Sequence, residues 1–166
     1  MQINGLIETL SKEIKLLIGT FLVVLSIGFY TGLSFVNETS SIDPLGIQEQ
    51  YLGNEADEDA TIMKFKKSDK EMLSIVHSHI LSMSLIFFLV GLILSITKLN
   101  NTLKLFLMIE PFFSVIFTFG GIYLLWKGTF WMTYVVMISG IFMTLSFTVS
   151  VFIILFQLIR SQKSTT

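Results

Sequence analysis

The sequence predicts an all-α, polytopic membrane protein, a four-transmembrane-helix up-down bundle with one long extracytoplasmic loop. Three observations predict it. Of the 166 residues, 52% are hydrophobic and 14% are charged, with a mean hydropathy of +0.76, whereas soluble domains carry roughly 25% charged residues. Apolar runs long enough to cross a hydrocarbon core of about 30 Å recur along the chain. The polar residues between them collect into short links and a single longer segment. The length suits one membrane domain, residues 1–166. With no cysteine, disulfides, thiol catalysis, iron–sulfur clusters and C-x-x-C-H haem attachment are excluded. A net charge of -1 with scattered basic residues gives no stripe for a nucleic-acid partner.

Residues 1–15 mix Leu and Ile with Glu8, Lys12, Glu13 and Lys15, a pattern expected of a short interfacial helix running into the first span, about 16–36. Two acids before the apolar run, its length and the lack of a small-x-small site favour an uncleaved anchor over a signal peptide. Gly28 and Gly32 form a G-x-x-x-G pair that would admit a close neighbouring helix. The polar loop is 37–71. Asp43-Pro44-Leu45-Gly46 and Gly53-Asn54 read as turns, Glu55, Asp57, Glu58 and Asp59 as an acidic knot, and Asn37-Glu38-Thr39 matches a glycosylation sequon. Ser68 and Glu71 have the spacing of a capping box that opens the second span, 72–97. The third span, 104–126, contains Glu110-Pro111; the fourth is 131–159. Trp126 and Trp131 bracket the link between them at the expected headgroup level. Short links make the last three spans antiparallel neighbours.

Lys12, Lys15, Lys98, Lys104, Arg160 and Lys163 lie on short segments at one end of the bundle. The loop's Lys64, Lys66, Lys67 and Lys70 lie with Lys127 at the other. The positive-inside rule then predicts a multi-pass protein of a bacterial cytoplasmic membrane with both termini in the cytoplasm.

The chain's two histidines, His77 and His79, stand at the start of the second span. At 100° per residue, His77 falls in line with Leu81, Ser84, Phe88, Gly91 and Ser95, so it is expected to face the bundle. His79 is about 200° away, with Met83, and is expected to face outward. With no Cys and one inward His, a closed zinc site would need loop carboxylates. A b-type haem held by His and Met, drawing on His77, His79, Met83 and Met137, or copper at His77 and His79, is the cofactor reading. Glu110, followed at helical spacing by Ser114, Thr118 and Gly121, is an ionisable group within a span and hence a candidate proton relay, with Tyr30, Tyr123 and Tyr134 nearer the outer side. The bland alternatives are interfacial anchoring for the histidines and a hydrogen-bonded tether for Glu110. On the fourth span Ser139, Met143, Ser146 and Ser150 read first as a packing surface. No nucleotide-binding loop, nucleophile elbow or H-E-x-x-H is present, so an enzyme is not expected.

Val76-His-Ser-His-Ile-Leu-Ser-Met-Ser-Leu-Ile-Phe-Phe88 resembles the histidine-led helices of haem–copper oxidase relatives and NnrS-like haem and copper membrane proteins. Residues 46–92, with Gly46-Ile-Gln-Glu-Gln-Tyr-Leu-Gly53, are similar to a group of uncharacterised four-span bacterial membrane proteins. The resemblance implies His77 and His79 as haem or metal ligands and a place in electron transport; the many other histidines of the oxidases are absent. Three classes of function stay open: a non-enzymatic haem- or metal-binding protein; a structural or assembly subunit, as a homo-oligomer or within a larger complex; and a small proton- or ion-path transporter using Glu110 and His77.

Overall fold

The computed structural model describes residues 4–39, 43–55, 60 and 62–163. Among the described residues, four helices are long and apolar enough to cross a membrane. After a 3-10 turn at Leu6–Thr9, α1 runs Lys12–Thr39. A short α2, Pro44–Leu52, precedes α3, Asp69–Ser95. The third span is composite: α4, Asn101–Val115, passes through a π-helical turn, Ile116–Gly120, into α5, Gly121–Trp126. The last span is α6, Met132–Lys163. The up-down bundle is as expected; the helices of the first three spans start three to four residues earlier than the apolar runs alone indicate, because polar caps and charged first turns extend a helix past the hydrocarbon, whereas α6 starts one residue later than expected.

Several local expectations change. The N-terminal residues do not run helically into the first span, since Leu10 is extended (φ -63, ψ 150) between the 3-10 turn and α1. The expected turn at 43–46 is the start of α2: Asp43 accepts from the Gly46 N–H at 2.6 Å, and Pro44 sits at the first helical position, where its missing N–H costs nothing. Gly53 then ends α2 with φ 80, and a Cβ there would lie 2.6 Å from the Lys66 nitrogen. The Ser68–Glu71 capping box forms as read: Glu71 accepts from the Ser68 N–H at 2.8 Å, and the Glu71 N–H donates to Ser68 Oγ at 3.3 Å. Asn37 of the sequon lies in the last turn of α1; Asp57, Glu58 and Asp59 of the acidic knot lie outside the described residues.

The third span packs against both α3 and α6, which also meet each other, so these three spans form the compact part of the bundle. The α1 helix packs chiefly on α6. Only 6% of its apolar window is buried, against 44% for the third span. Its contact is aromatic: Phe29 stacks on Phe147 with centroids 3.9 Å apart, and Tyr30 Oη bonds Thr148 Oγ1 at 2.8 Å. Gly28 and Gly32 do not admit a neighbour within the chain. Both are exposed, and an added Cβ would meet nothing within 4 Å.

Both ends of the bundle are tied by polar contacts. At the end carrying the termini, the Ile7 N–H donates to Ile96 O at 3.1 Å, and Gln157 bonds both backbone groups of Lys98 at 2.8 and 2.9 Å. Lys104 Nζ is buried there and donates to Asn4 Oδ1, Ser95 O and Thr97 O at 2.8, 3.0 and 2.6 Å. An ammonium thus closes the C-terminal end of α3, where orphan carbonyls and the negative pole of the helix coincide. At the opposite end α2 lies across α5 and α6, with Gln48 Nε2 donating to Thr133 Oγ1 at 3.2 Å. The Lys67 N–H donates to Tyr51 O at 3.1 Å, and burial pushes the Tyr51 hydroxyl up from its ordinary range.

Candidate functional site

The polar groups that reach furthest into the apolar spans meet along the contact between the third span and α6. Glu110, on α4, is half-buried. Its Oε1 accepts from the Ser114 hydroxyl one turn on, and its Oε2 from the Ser146 hydroxyl on α6. Two turns along each helix, Thr118 Oγ1 and Ser139 Oγ are hydrogen-bonded at 2.8 Å, both buried. Because α4 and α6 are antiparallel, the spacing of eight residues between Glu110 and Thr118 matches that of seven between Ser146 and Ser139, about 11 Å on either helix. Further toward the loop end, the fully buried Thr133 receives Gln48. The result is a seam of hydroxyls with one carboxylate, flanked by apolar packing from Met143, Val136 and Phe147.

Backbone irregularity accompanies this seam. Pro111 has no N–H to give the Leu107 carbonyl, and the π-helical turn at Ile116–Gly120 re-phases the helix beside Thr118. Such breaks occur in membrane helices where neighbours or side chains re-satisfy the freed groups. The expected inward polar stripe of Glu110, Ser114, Thr118 and Gly121 is therefore observed. Gly121 packs so closely that a Cβ would lie 2.9 Å from Val136 Cγ2. Ser146, read from the sequence as packing, is the cross-helix partner of Glu110; a lone serine among many on α6 gives no hint of which one meets the acid.

Both histidines are exposed: His77 does not face the bundle as expected, and His79 is exposed as expected, though it touches the third span. The buried face of α3 is Met72, Phe87, Val90, Gly91 and Leu94, of which only Gly91 belongs to the line through His77. On that line Leu81 and Phe88 are 64% and 53% exposed, and His77 is exposed with them. His79 turns toward the third span, its ring 4.8 Å from that of Phe119, and Met83 on the same side packs on the core. His79 Nδ1 bonds its own helix at Ile75 O, 2.8 Å away. The reason is that the small polar residues of α3 need no neighbour. Ser78, Ser82 and Ser95 donate to carbonyls three or four residues back, so bulk decides which face is buried.

His77 and the pair His79 and Met83 thus lie on different faces, and Met137 is half-buried on α6. Among the described residues no three His, Cys, Asp or Glu side chains gather closely enough to hold a metal ion. Tyr30 bonds Thr148 rather than His77, Tyr134 is 61% exposed, and Tyr123 lies beside Trp126 and Lys127.

A family model described as a transmembrane helical domain, Aq_1264_TM, matches residues 41–165. It covers the three-span core with α2 and leaves out α1, the span with least buried surface. Comparison with curated proteins and with solved structures finds no match.

Proposed function

This chain belongs to the Aq_1264_TM family of transmembrane helical domains, and from that premise we propose that it is a non-enzymatic, proton-path membrane protein whose working group is Glu110. The observation that carries the reading is the carboxylate itself, set within a span and held by hydroxyls from two helices. An ionisable group at such depth is costly, and its usual uses are proton relay and ion passage. Hydroxyls suit the relay because each can accept and donate in turn. Ser114 and Ser146 would pass a proton to and from Glu110, and Thr118, Ser139 and Thr133 continue the polar line toward Gln48. In this reading the end carrying the termini faces the cytoplasm of a bacterial cell, a choice supported by the basic residues gathered there.

A haem or copper ion at His77 and His79, and with it a role in electron transport, rests on the H-x-H resemblance alone. It would need ligands from a second chain. For that reason Glu110, not the histidine pair, carries the proposal. The test is proton flux into proteoliposomes under a potassium-diffusion potential, read with an enclosed pH dye. The wild type should conduct above empty liposomes, and Glu110→Gln should abolish the flux while keeping the helical circular dichroism and elution volume unchanged. Ser146→Ala should slow it by about tenfold, the worth of about one hydrogen bond to a charged group. Equal flux in wild type and Glu110→Gln would overturn the reading.

A further inference from the structure

At the loop end a second polar site is built, independent of the Glu110 seam. A cavity of about 460 Å³ is lined by Lys66, Lys67, Ser68, Asp69, Trp126 and Lys127. Trp126 is its fixed wall: buried, with its indole N–H donating to Lys67 O at 2.8 Å, it pins the segment before α3 against the end of α5. Two ammoniums lie over its ring, Lys127 Nζ at 4.5 Å and Lys66 Nζ at 5.6 Å from the centroid. Three lysines against one aspartate leave the lining with a formal charge of +2.

The nearby carboxylates are engaged elsewhere or hold the ammoniums only loosely. Asp69 pairs with Lys127 at 3.8 Å, but the two side chains are 81% and 50% exposed, so the attraction is weak. Glu55 Oε1 accepts from the Lys66 backbone N–H at 3.1 Å, and Glu71 is engaged by the Ser68 N–H and hydroxyl. The cavity therefore favours an anion with several acceptor oxygens. Around it the chain exposes apolar bulk: Phe65 at 70%, Phe130 at 59% and Trp131 at 61%. Aromatic residues at the end of a span sit at the headgroup level of a bilayer. A free anion has no use for such a rim, whereas a lipid brings a charged head and an apolar body together.

We infer that this cavity binds a phosphate group, carried by the headgroup of an anionic phospholipid. Lys66 and Lys127 contact its oxygens, Trp126 holds the two ammoniums in place, and Phe65 lies along the start of an acyl chain. Trp131→Phe leaves Trp126 as the chain's single tryptophan and so as the reporter. The Trp131→Phe protein is reconstituted in phosphatidylcholine vesicles with increasing brominated phosphatidylglycerol, and Trp126 quenching is compared with that by brominated phosphatidylcholine.

Phosphatidylglycerol should quench at clearly lower mole fraction. Lys66→Gln with Lys127→Gln should weaken that preference about 25-fold, roughly fivefold for each lysine. Lys66→Arg with Lys127→Arg should keep it, as should Lys98→Gln at the opposite end. Equal quenching by the two lipids, or an equal loss in Lys98→Gln, would overturn the site. Reversal of the quenching by millimolar inorganic phosphate would overturn the lipid as the source and assign the cavity to free phosphate.

Discussion

A carboxylate inside a membrane span has to be hydrogen-bonded or neutralised, because the apolar surroundings offer no water to solvate it. Glu110 meets that requirement with Ser114 on its own helix and Ser146 across the interface. Its position one residue before Pro111 identifies it in the sequence. The partner on α6 does not follow from the sequence, since Ser139, Ser146 and Ser150 share one helical line and only the pairing of the two helices selects Ser146. Lys104 is the complementary case. It reads as an orienting charge at a span's end, yet its ammonium is buried under three oxygens. Lys104→Met, which keeps the stem and removes the donor, should leave Ser95 O and Thr97 O unsatisfied. The expected loss is about 2–3 kcal/mol, seen as a shift of the unfolding midpoint in a denaturing-detergent titration. Lys98→Met, on the exposed side of the same link, should change that midpoint little.

Between helices in lipid, the hydrophobic effect contributes little, because acyl chains are as apolar as Leu; packing and interhelical hydrogen bonds hold the spans together. The contact of α5 with α6 depends on Gly121, so Gly121→Ala should strain it against Val136 by about 1–3 kcal/mol, measured in the same titration. The α1 helix depends on Phe147, which is 1% exposed and touches Phe29, Tyr30 and Phe87. Phe147→Ala removes that surface. It should speed proteolysis between α1 and α2 severalfold at 25 °C while the core of α3 to α6 keeps its protection from hydrogen exchange. The H-x-H pair belongs to this scale too. A helical wheel that follows the small polar residues puts His77 inward, and the structure turns the helix because Met72, Phe87 and Leu94 are the side chains that fill space.

Across the whole molecule, the two ends differ in chemistry. One gathers Lys12, Lys15, Lys98, Lys104 and Arg160 with the N-terminal turn; the other carries α2, the polar loop and the basic cavity around Trp126. The orientation proposed for it predicts that a cysteine at Lys127 is labelled by a membrane-impermeant maleimide in intact cells, and one at Lys98 only after permeabilisation. The native chain has no cysteine to interfere. Labelling in the reverse order would place the loop in the cytoplasm. The sequence by itself determined the four spans, their alternation, the Ser68 cap and the intramembrane acid, because span length, apolar composition and short-range capping are local properties. The tertiary structure alone decided that Ser146 answers Glu110, that Phe87 and Leu94 rather than His77 turn to the bundle, and that Lys66 and Lys127 share one aromatic wall. Those facts depend on which faces of distant helices meet, and shape and packing across the bundle set that choice.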